Sequence, residues 1–174
     1  MPGMEVRPTS DRLRETLFDI LTAGNPSALE GTVWIDLYAG TGAVGLEALS
    51  RGAGMVYFVE SAPEAADLIR KNLQGLGITT GFQVLRQEAV RALQAWEQSG
   101  IGSNFIFMDP PYRMEAAYAQ VLNALSASKL LQPETIVIVE HQKRFEPGEQ
   151  VGSLRRYRLL KQGDAALSFY RRGQ

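Results

Sequence analysis

The chain has 174 residues, of which 45% are hydrophobic and none is cysteine, with one histidine and a net charge of −1. That length and apolar content suit a single domain with a full core, and they exclude disulfides, thiolate metal centres and multi-histidine metal sites. No apolar run reaches membrane-spanning length, and residues 1–11 carry Glu5, Arg7 and Asp11 in place of an apolar leader core, so a cytoplasmic protein is expected.

Residues 1–9 contain Pro2, Gly3 and Pro8 and read as an irregular arm. Thr9 or Ser10 can cap a helix over 11–23, whose Leu13, Leu17, Ile20 and Leu21 share one face until Gly24 and Pro26 end it. Residues 32–37 form an apolar strand that runs into Tyr38-Ala39-Gly40-Thr41-Gly42-Ala43-Val44-Gly45, and a helix follows to about Ser50. A second strand over 55–60 ends in Glu60. Ser61-Ala62-Pro63-Glu64 has capping-box spacing and opens a helix to about Gln74. A short strand over 82–86, a helix over 88–98, a strand over 105–108, a helix over 115–127 and a strand over 135–140 complete the pattern. Five alternations of strand and helix predict a parallel sheet covered on both faces. Residues 154–161 and 166–171, joined by Gln162-Gly163-Asp164, predict an antiparallel hairpin after it.

Charge is unevenly spread. Residues 141–174 hold eight basic and three acidic side chains, whereas residues 16–140 hold seven and thirteen. Solvated strand edges account for such a tail, and so does a patch for a polyanion. Arg7, Arg12 and Arg14 cluster at the start of the first helix, where the dipole is already positive, a mismatch that points to an anion there.

Gly40-Thr41-Gly42-Ala43-Val44-Gly45 fits G-x-G-x-x-G between a strand and a helix. A tight turn without ligand needs similar glycines, but the context favours a cofactor. A dinucleotide would set its pyrophosphate on the helix N-terminus. Asp36, immediately before the loop, would repel that group, yet would attract the sulfonium and ammonium of S-adenosylmethionine. The methionine carboxylate can still use the helix N-terminus. Glu60 can bind a ribose of either cofactor. Glu88 can accept from an adenine amine, or simply complement a helix dipole.

The strand 105–108 stops at Asp109-Pro110-Pro111-Tyr112, because two prolines remove the N–H groups a ladder needs. That puts an acid, a proline carbonyl and an aromatic ring at the rim of the sheet. An exocyclic amine conjugated to a base ring is a poor nucleophile. The Asp109 carboxylate and the Pro110 carbonyl can bind its two N–H groups, hold its lone pair toward a methyl donor and stabilise the developing positive charge. The proline carbonyl is expected to have no competing donor. Tyr112 can stack on the base, worth ~1–3 kcal/mol. His141 reads as a hydrogen-bonding strand-end residue, and Trp34 and Trp96 read as core.

Residues 36–42 together with Asp109-Pro110-Pro111-Tyr112 resemble class I S-adenosylmethionine-dependent amino-methyltransferases. Arg7-Pro8-Thr9-Ser10-Asp11-Arg12-Leu13-Arg14-Glu15, with Leu17-Phe18, is similar to the entry segment of the RsmD family, which methylates guanine N2 in small-subunit (16S) ribosomal RNA. Gly163-Asp164-Ala165-Ala166-Leu167-Ser168-Phe169-Tyr170 resembles that family's last strand. The resemblance runs from Arg7 over nearly the whole chain. It implies a Rossmann-like α/β fold with a mostly parallel seven-stranded sheet and a C-terminal antiparallel hairpin. It implies S-adenosylmethionine held by Asp36, Tyr38, Ala39, Gly40, Thr41, Gly42, Gly45, Glu60, Glu88 and Ala89. Catalysis falls to Asp109, Pro110, Pro111 and Tyr112, and substrate contact to Arg7, Thr9, Asp11, Arg12 and Tyr112. The implied partner is ribosomal RNA, naked or within the small subunit or its assembly intermediate, with no metal. Two features depart from the family: no basic β-hairpin precedes Arg7 in this sequence, and Glu88 stands where the family often has Asp. An adenine-N6 DNA methyltransferase, a cofactor-binding module without catalysis and an NAD(P)-dependent oxidoreductase are the competing readings.

Overall fold

In chain order the computed structural model, which describes residues 10–173, contains α1 (Asp11–Thr22), β1 (Val33–Leu37), α2 (Ala43–Ser50), β2 (Met55–Val59), α3 (Pro63–Gly75) and β3 (Phe82–Leu85). It continues with α4 (Ala89–Trp96), β4 (Ser103–Met108), α5 (Glu115–Ser126), β5 (Leu131–Gln142), β6 (Gln150–Val151), β7 (Leu154–Gln162) and β8 (Ala165–Arg172). The expected arm over 1–9, with Arg7 and Thr9, lies outside the described residues.

All these strands join one sheet in the order β3-β2-β1-β4-β5-β8-β7-β6. β1 to β5 are mutually parallel, and β8, β7 and β6 add antiparallel pairs. The seven strands read from sequence are present, and β6, two residues long, makes an eighth. It escapes periodicity because two residues carry no period.

The strands read as unbroken apolar runs because alternate residues serve two separate layers. Ile35, Leu37, Tyr57, Val59, Ile106, Met108, Val137 and Val139 pack against α4 and α5. Trp34, Phe58, Phe105, Phe107, Ile138, Leu167 and Phe169 pack against α1, α2 and α3. Trp34 and Trp96 are core residues, as expected. The apolar face of α1 extends to Phe18, which stacks on Trp34 at 5.4 Å, and Trp34 in turn meets its strand neighbour Phe105 at 5.3 Å.

Two local expectations fail for identifiable reasons. No capping box forms at Ser61: Ala62 is the N-cap of α3, Pro63 follows in the first turn, and the Ala62 N–H donates to the Glu60 carboxylate at 2.9 Å. β5 begins at Leu131 rather than after Pro133. A register shift opposite Ser103 and Phe105 carries the strand past the proline, which has no N–H to lose. Thr135 Oγ1 stitches the irregularity, accepting from Gln132 N at 2.9 Å and donating to Ser103 O at 2.6 Å.

Candidate functional site

The strand order makes β1 and β4 neighbours at the point where the chain reverses its direction of winding, and the C-terminal ends of the parallel strands share one rim. Leu37 pairs with both Val59 and Met108. Tyr38 therefore leaves the sheet between Glu60 and Asp109. Met108 pairs with Val139, which brings Glu140 beside Asp109. Tyr38, Glu60, Asp109 and Glu140, scattered between positions 38 and 140 of the sequence, thus meet at one edge.

The loop after β1 is bent by three left-handed positions, at alternate residues among five: Tyr38 (φ 61°), Gly40 (φ 58°) and Gly42 (φ 83°). Tyr38 is not a glycine, so its backbone is held at a cost of order 1–3 kcal/mol by the surrounding structure, a feature that concentrates at ligand sites. Burial, then the nearby charges of Glu88 and Glu60, push its phenol pKa up. The tyrosine is thereby placed among two acids that line the loop.

Carboxylates, not open donors, organise the glycines. Glu60 accepts from Gly40 N at 2.8 Å with one oxygen and from Ala62 N with the other. Asp36, only 1% exposed, accepts from Gly45 N at 3.2 Å in the first turn of α2. Its pKa rises to about 8, chiefly because burial disfavours the charge; the Gly45 bond opposes this, and Glu60 and Glu140 add repulsion. Gly45 is a packing residue as well: a Cβ there would lie 2.4 Å from the Phe58 ring. Asn72 of α3, which the sequence reading missed, donates to Thr41 O at 3.0 Å and braces the loop from behind. Ala39 is fixed by its N–H to Val59 O at 3.0 Å.

Glu88 occupies the N-cap position of α4, but its side chain makes no capping bond and it is exposed on the rim, with buried Ala89 behind it. The side chain can still complement the α4 dipole, but by its charge alone.

After β4, Asp109 and Tyr112 are half-buried and Pro110 is buried. Pro111 O accepts from Met114 N at 2.9 Å, which turns the chain into α5. The Pro110 carbonyl does have a neighbouring donor, contrary to expectation. The hydroxyl of buried Tyr118 lies 3.4 Å from it and 3.3 Å from Glu140 O. No sequence signal marks Tyr118, because a helix residue facing the core looks the same whether or not its hydroxyl reaches a loop. Glu140, 0% exposed near the end of β5, likewise carries no sequence signal beyond its place at the end of an apolar run.

α1 brings the basic segment to this rim. Ser10 caps it by accepting from Leu13 N at 3.1 Å, and Thr16 Oγ1 donates to Gln162 at 2.9 Å, beside the β7–β8 turn. That turn sits at the rim because Gln162 and Ala165 pair, and Ala165 pairs with Gln142. Arg12 is exposed there, while Asp11 forms an ion pair with Arg14 at 3.1 Å. The acid in the first turn thus offsets part of the cation–dipole mismatch read from sequence.

His141 is a hydrogen-bonding residue, as expected, but a buried one: its ring nitrogens meet Gln142 O and Ser168 Oγ, each at 2.8 Å. Burial lowers its pKa. Among the described residues no cluster of His, Cys, Asp and Glu could hold a metal ion, and no described helix is long and apolar enough to cross a membrane.

Comparison with known proteins agrees with this geometry. The family model described as conserved hypothetical protein 95 matches residues 1–171. Bacillus subtilis (strain 168) YlbH, whose name carries a provisional rRNA methyltransferase assignment, is 32% identical over 98% of this chain and 90% of its own length. Ribosomal RNA small subunit methyltransferase D of Haemophilus influenzae is 33% identical over 79% of this chain and 69% of its own length. Among solved structures, the Escherichia coli protein yhhF, described as a provisional methyltransferase, superposes with a TM-score of 0.80 at 29% identity, covering 97% of this chain and 90% of that one. The fold is that of the class I methyltransferases.

Proposed function

We propose, from the premise that the chain belongs to the RsmD family, that it transfers a methyl group from S-adenosylmethionine to the exocyclic N2 amine of a guanine in small-subunit (16S) ribosomal RNA. The observation that carries the cofactor reading is the occupation of two N–H groups of the glycine motif by acidic side chains: Gly40 in the loop by Glu60 and Gly45 in the first turn of α2 by Asp36. A pyrophosphate would need such donors and would meet repulsion from Glu60, and it would keep Asp36 in its protonated form. S-adenosylmethionine instead brings a sulfonium and an ammonium, which Glu60 attracts and which would draw Asp36 back to its ionised form against the effect of burial, and when bound it supplies an electrophilic methyl group for direct displacement.

The chain's own groups do the rest. Each Glu60 oxygen keeps a lone pair for a ribose hydroxyl beyond its backbone bond. Glu88, exposed at the start of α4, accepts from the adenine amine. Asp109 and the second lone pair of the Pro110 carbonyl accept the two N–H groups of the target amine and hold its lone pair toward the methyl group. With the cofactor bound, the amine nitrogen would take the methyl group as the donor's sulfur–carbon bond breaks, Asp109 would stabilise the positive charge left on the nitrogen, and the proton would leave afterwards. Tyr112 stacks on the base, and exposed Arg12 contacts the RNA backbone at the same rim.

The choice of guanine in ribosomal RNA is supported by the family, because Asp109-Pro110-Pro111-Tyr112 serves guanine N2 and adenine N6 equally. Labelled S-adenosylmethionine offered with unmodified small-subunit particles and with naked small-subunit RNA, followed by nucleoside analysis, tests it. N2-methylguanosine is the expected product; N6-methyladenosine would overturn the assignment. Calorimetry should detect S-adenosylhomocysteine binding, and tight NADH binding without it would sink the cofactor reading.

A further inference from the structure

We propose that a basic and aromatic cluster at the outer edge of the sheet, on the face carrying α1, docks the phosphodiester backbone of the RNA substrate; this rests on the reading of the chain as an RNA methyltransferase. The cluster consists of Arg155, Tyr157 and Arg158 on β7 and Arg171 on β8. Register pairs Arg155 directly with Arg171, and Arg158 with Phe169. Tyr157 is the extra residue at the shift between Arg156 and Arg158. Its ring lies 6.2 Å from Phe169, and the Arg171 guanidinium sits 4.5 Å over it. Phe169 belongs to the core layer under α1, which fixes the face.

Three observations set this surface apart from ordinary surface charge. Like charges directly opposite on a strand pair destabilise the sheet, so the Arg155–Arg171 register works against the fold. Among the described residues no ion pair links Arg155, Arg158 or Arg171 to an acid. The neighbouring Arg156, by contrast, is held by Glu146 through bonds of 2.6 and 2.7 Å, and that pairing takes the Glu146 carboxyl down to about 2. The chain neutralises the arginine that serves its own packing and leaves the other three bare.

Protection of an open strand edge is the competing explanation. β6 pairs only with Leu154 and Arg155, so charges along the rest of β7 could guard an exposed edge. That explains Arg158 and Lys161. It does not explain Arg171, which lies on an interior strand between β5 and β7, or an aromatic ring left 46% exposed beneath it. A guanidinium over a tyrosine ring, with two further arginines beside it, is instead a surface for phosphates and stacked bases.

The cluster is remote from the reacting base. Ala165 marks the rim and Arg171 lies six residues along β8, roughly 20 Å away at strand rise. Contact there adds affinity without touching the chemistry. It also gives the excess of basic residues after residue 141 a place to act.

The test is binding to protein-free small-subunit ribosomal RNA across a salt series, comparing the wild type with Arg155→Gln/Arg158→Gln/Arg171→Gln and with Tyr157→Ala. The triple variant should bind at least 10-fold more weakly, with the slope of log affinity against log salt reduced by about 2. Its melting temperature should be unchanged or higher, since repulsion is removed, and its kcat at saturating RNA should stay within 2-fold of wild type. Tyr157→Ala should weaken binding with little change in salt slope. Wild-type affinity and slope in the triple variant would overturn the docking surface. So would a loss confined to assembled particles, which would make the partner a protein. Binding is read without methyl transfer, so a wild type that binds RNA but methylates none defeats the enzymatic reading alone.

Discussion

The hydroxyl of Tyr118 lies 3.4 Å from the carbonyl oxygen of Pro110. It reaches Glu140 O at 3.3 Å as well, so one buried phenol on α5 ties the loop after β4 to the end of β5. This orients the carbonyl assigned to the target amine. Tyr118→Phe should cost about 0.5–1.5 kcal/mol in stability. A similar energy expressed in the transition state lowers kcat about 2- to 10-fold. S-adenosylhomocysteine affinity should not change. Steady-state kinetics beside calorimetry checks this, and an unaltered kcat would confine Tyr118 to packing.

Asp109→Ala removes the carboxylate proposed to accept from the amine while leaving the loop of Gly40 and Gly42 in place. Loss of a group acting only in the transition state predicts a fall in kcat of ~10²-fold or more. Cofactor affinity should stay within a few-fold. Methyl transfer from labelled cofactor measures the first and calorimetry the second. Full activity in this variant would remove Asp109 from its assigned role.

The raised pKa of Asp36, about 8 against its usual 3.8, sets a pH dependence. The folded chain holds a proton that the unfolded chain releases near pH 4. Stability is therefore fully present below the unfolded value and lost as pH rises through the folded one. Urea midpoints of the cofactor-free protein should fall between pH 5 and pH 9. Asp36→Asn keeps an acceptor for the Gly45 N–H but cannot ionise. It should flatten that fall and be more stable at pH 9 by on the order of a few kcal/mol. An equally steep fall in the variant would assign the titration elsewhere.

Gly45→Ala should destabilise the fold by about 1–3 kcal/mol through overpacking, because the new methyl would meet Phe58 at 2.4 Å. Pairing it with Phe58→Leu, which opens that space, should give a destabilisation smaller than the sum of the two single changes. Chemical denaturation of the four proteins closes the cycle. Strict additivity would mean that Gly45 is required by the loop, not by helix–strand packing.

Much of this protein is legible in local sequence. Apolar runs such as Met55–Val59, cut by glycine, proline and acid, fix strands because periodicity and backbone chemistry act within a few residues. Asp109-Pro110-Pro111 ends β4 for the same reason: a proline cannot extend a ladder wherever it stands. Where local rules compete, the sequence misleads. Ser61 had the spacing of a cap, but the Glu60 carboxylate took the Ala62 N–H, and β5 crossed Pro133 because a register shift there needed no donor.

By itself, then, the sequence determined the alternation of strands and helices, the glycine bend and the acid that closes β4, all of which follow from short-range sterics and hydrogen bonding. The tertiary structure alone decided which of these meet. It set Leu37 against both Val59 and Met108, turned Asp36 inward onto Gly45, brought Tyr118 beneath Pro110 and faced Arg155 with Arg171. Strand order and side-chain partners are settled by packing between distant segments, where one residue's environment depends on the rest of the chain.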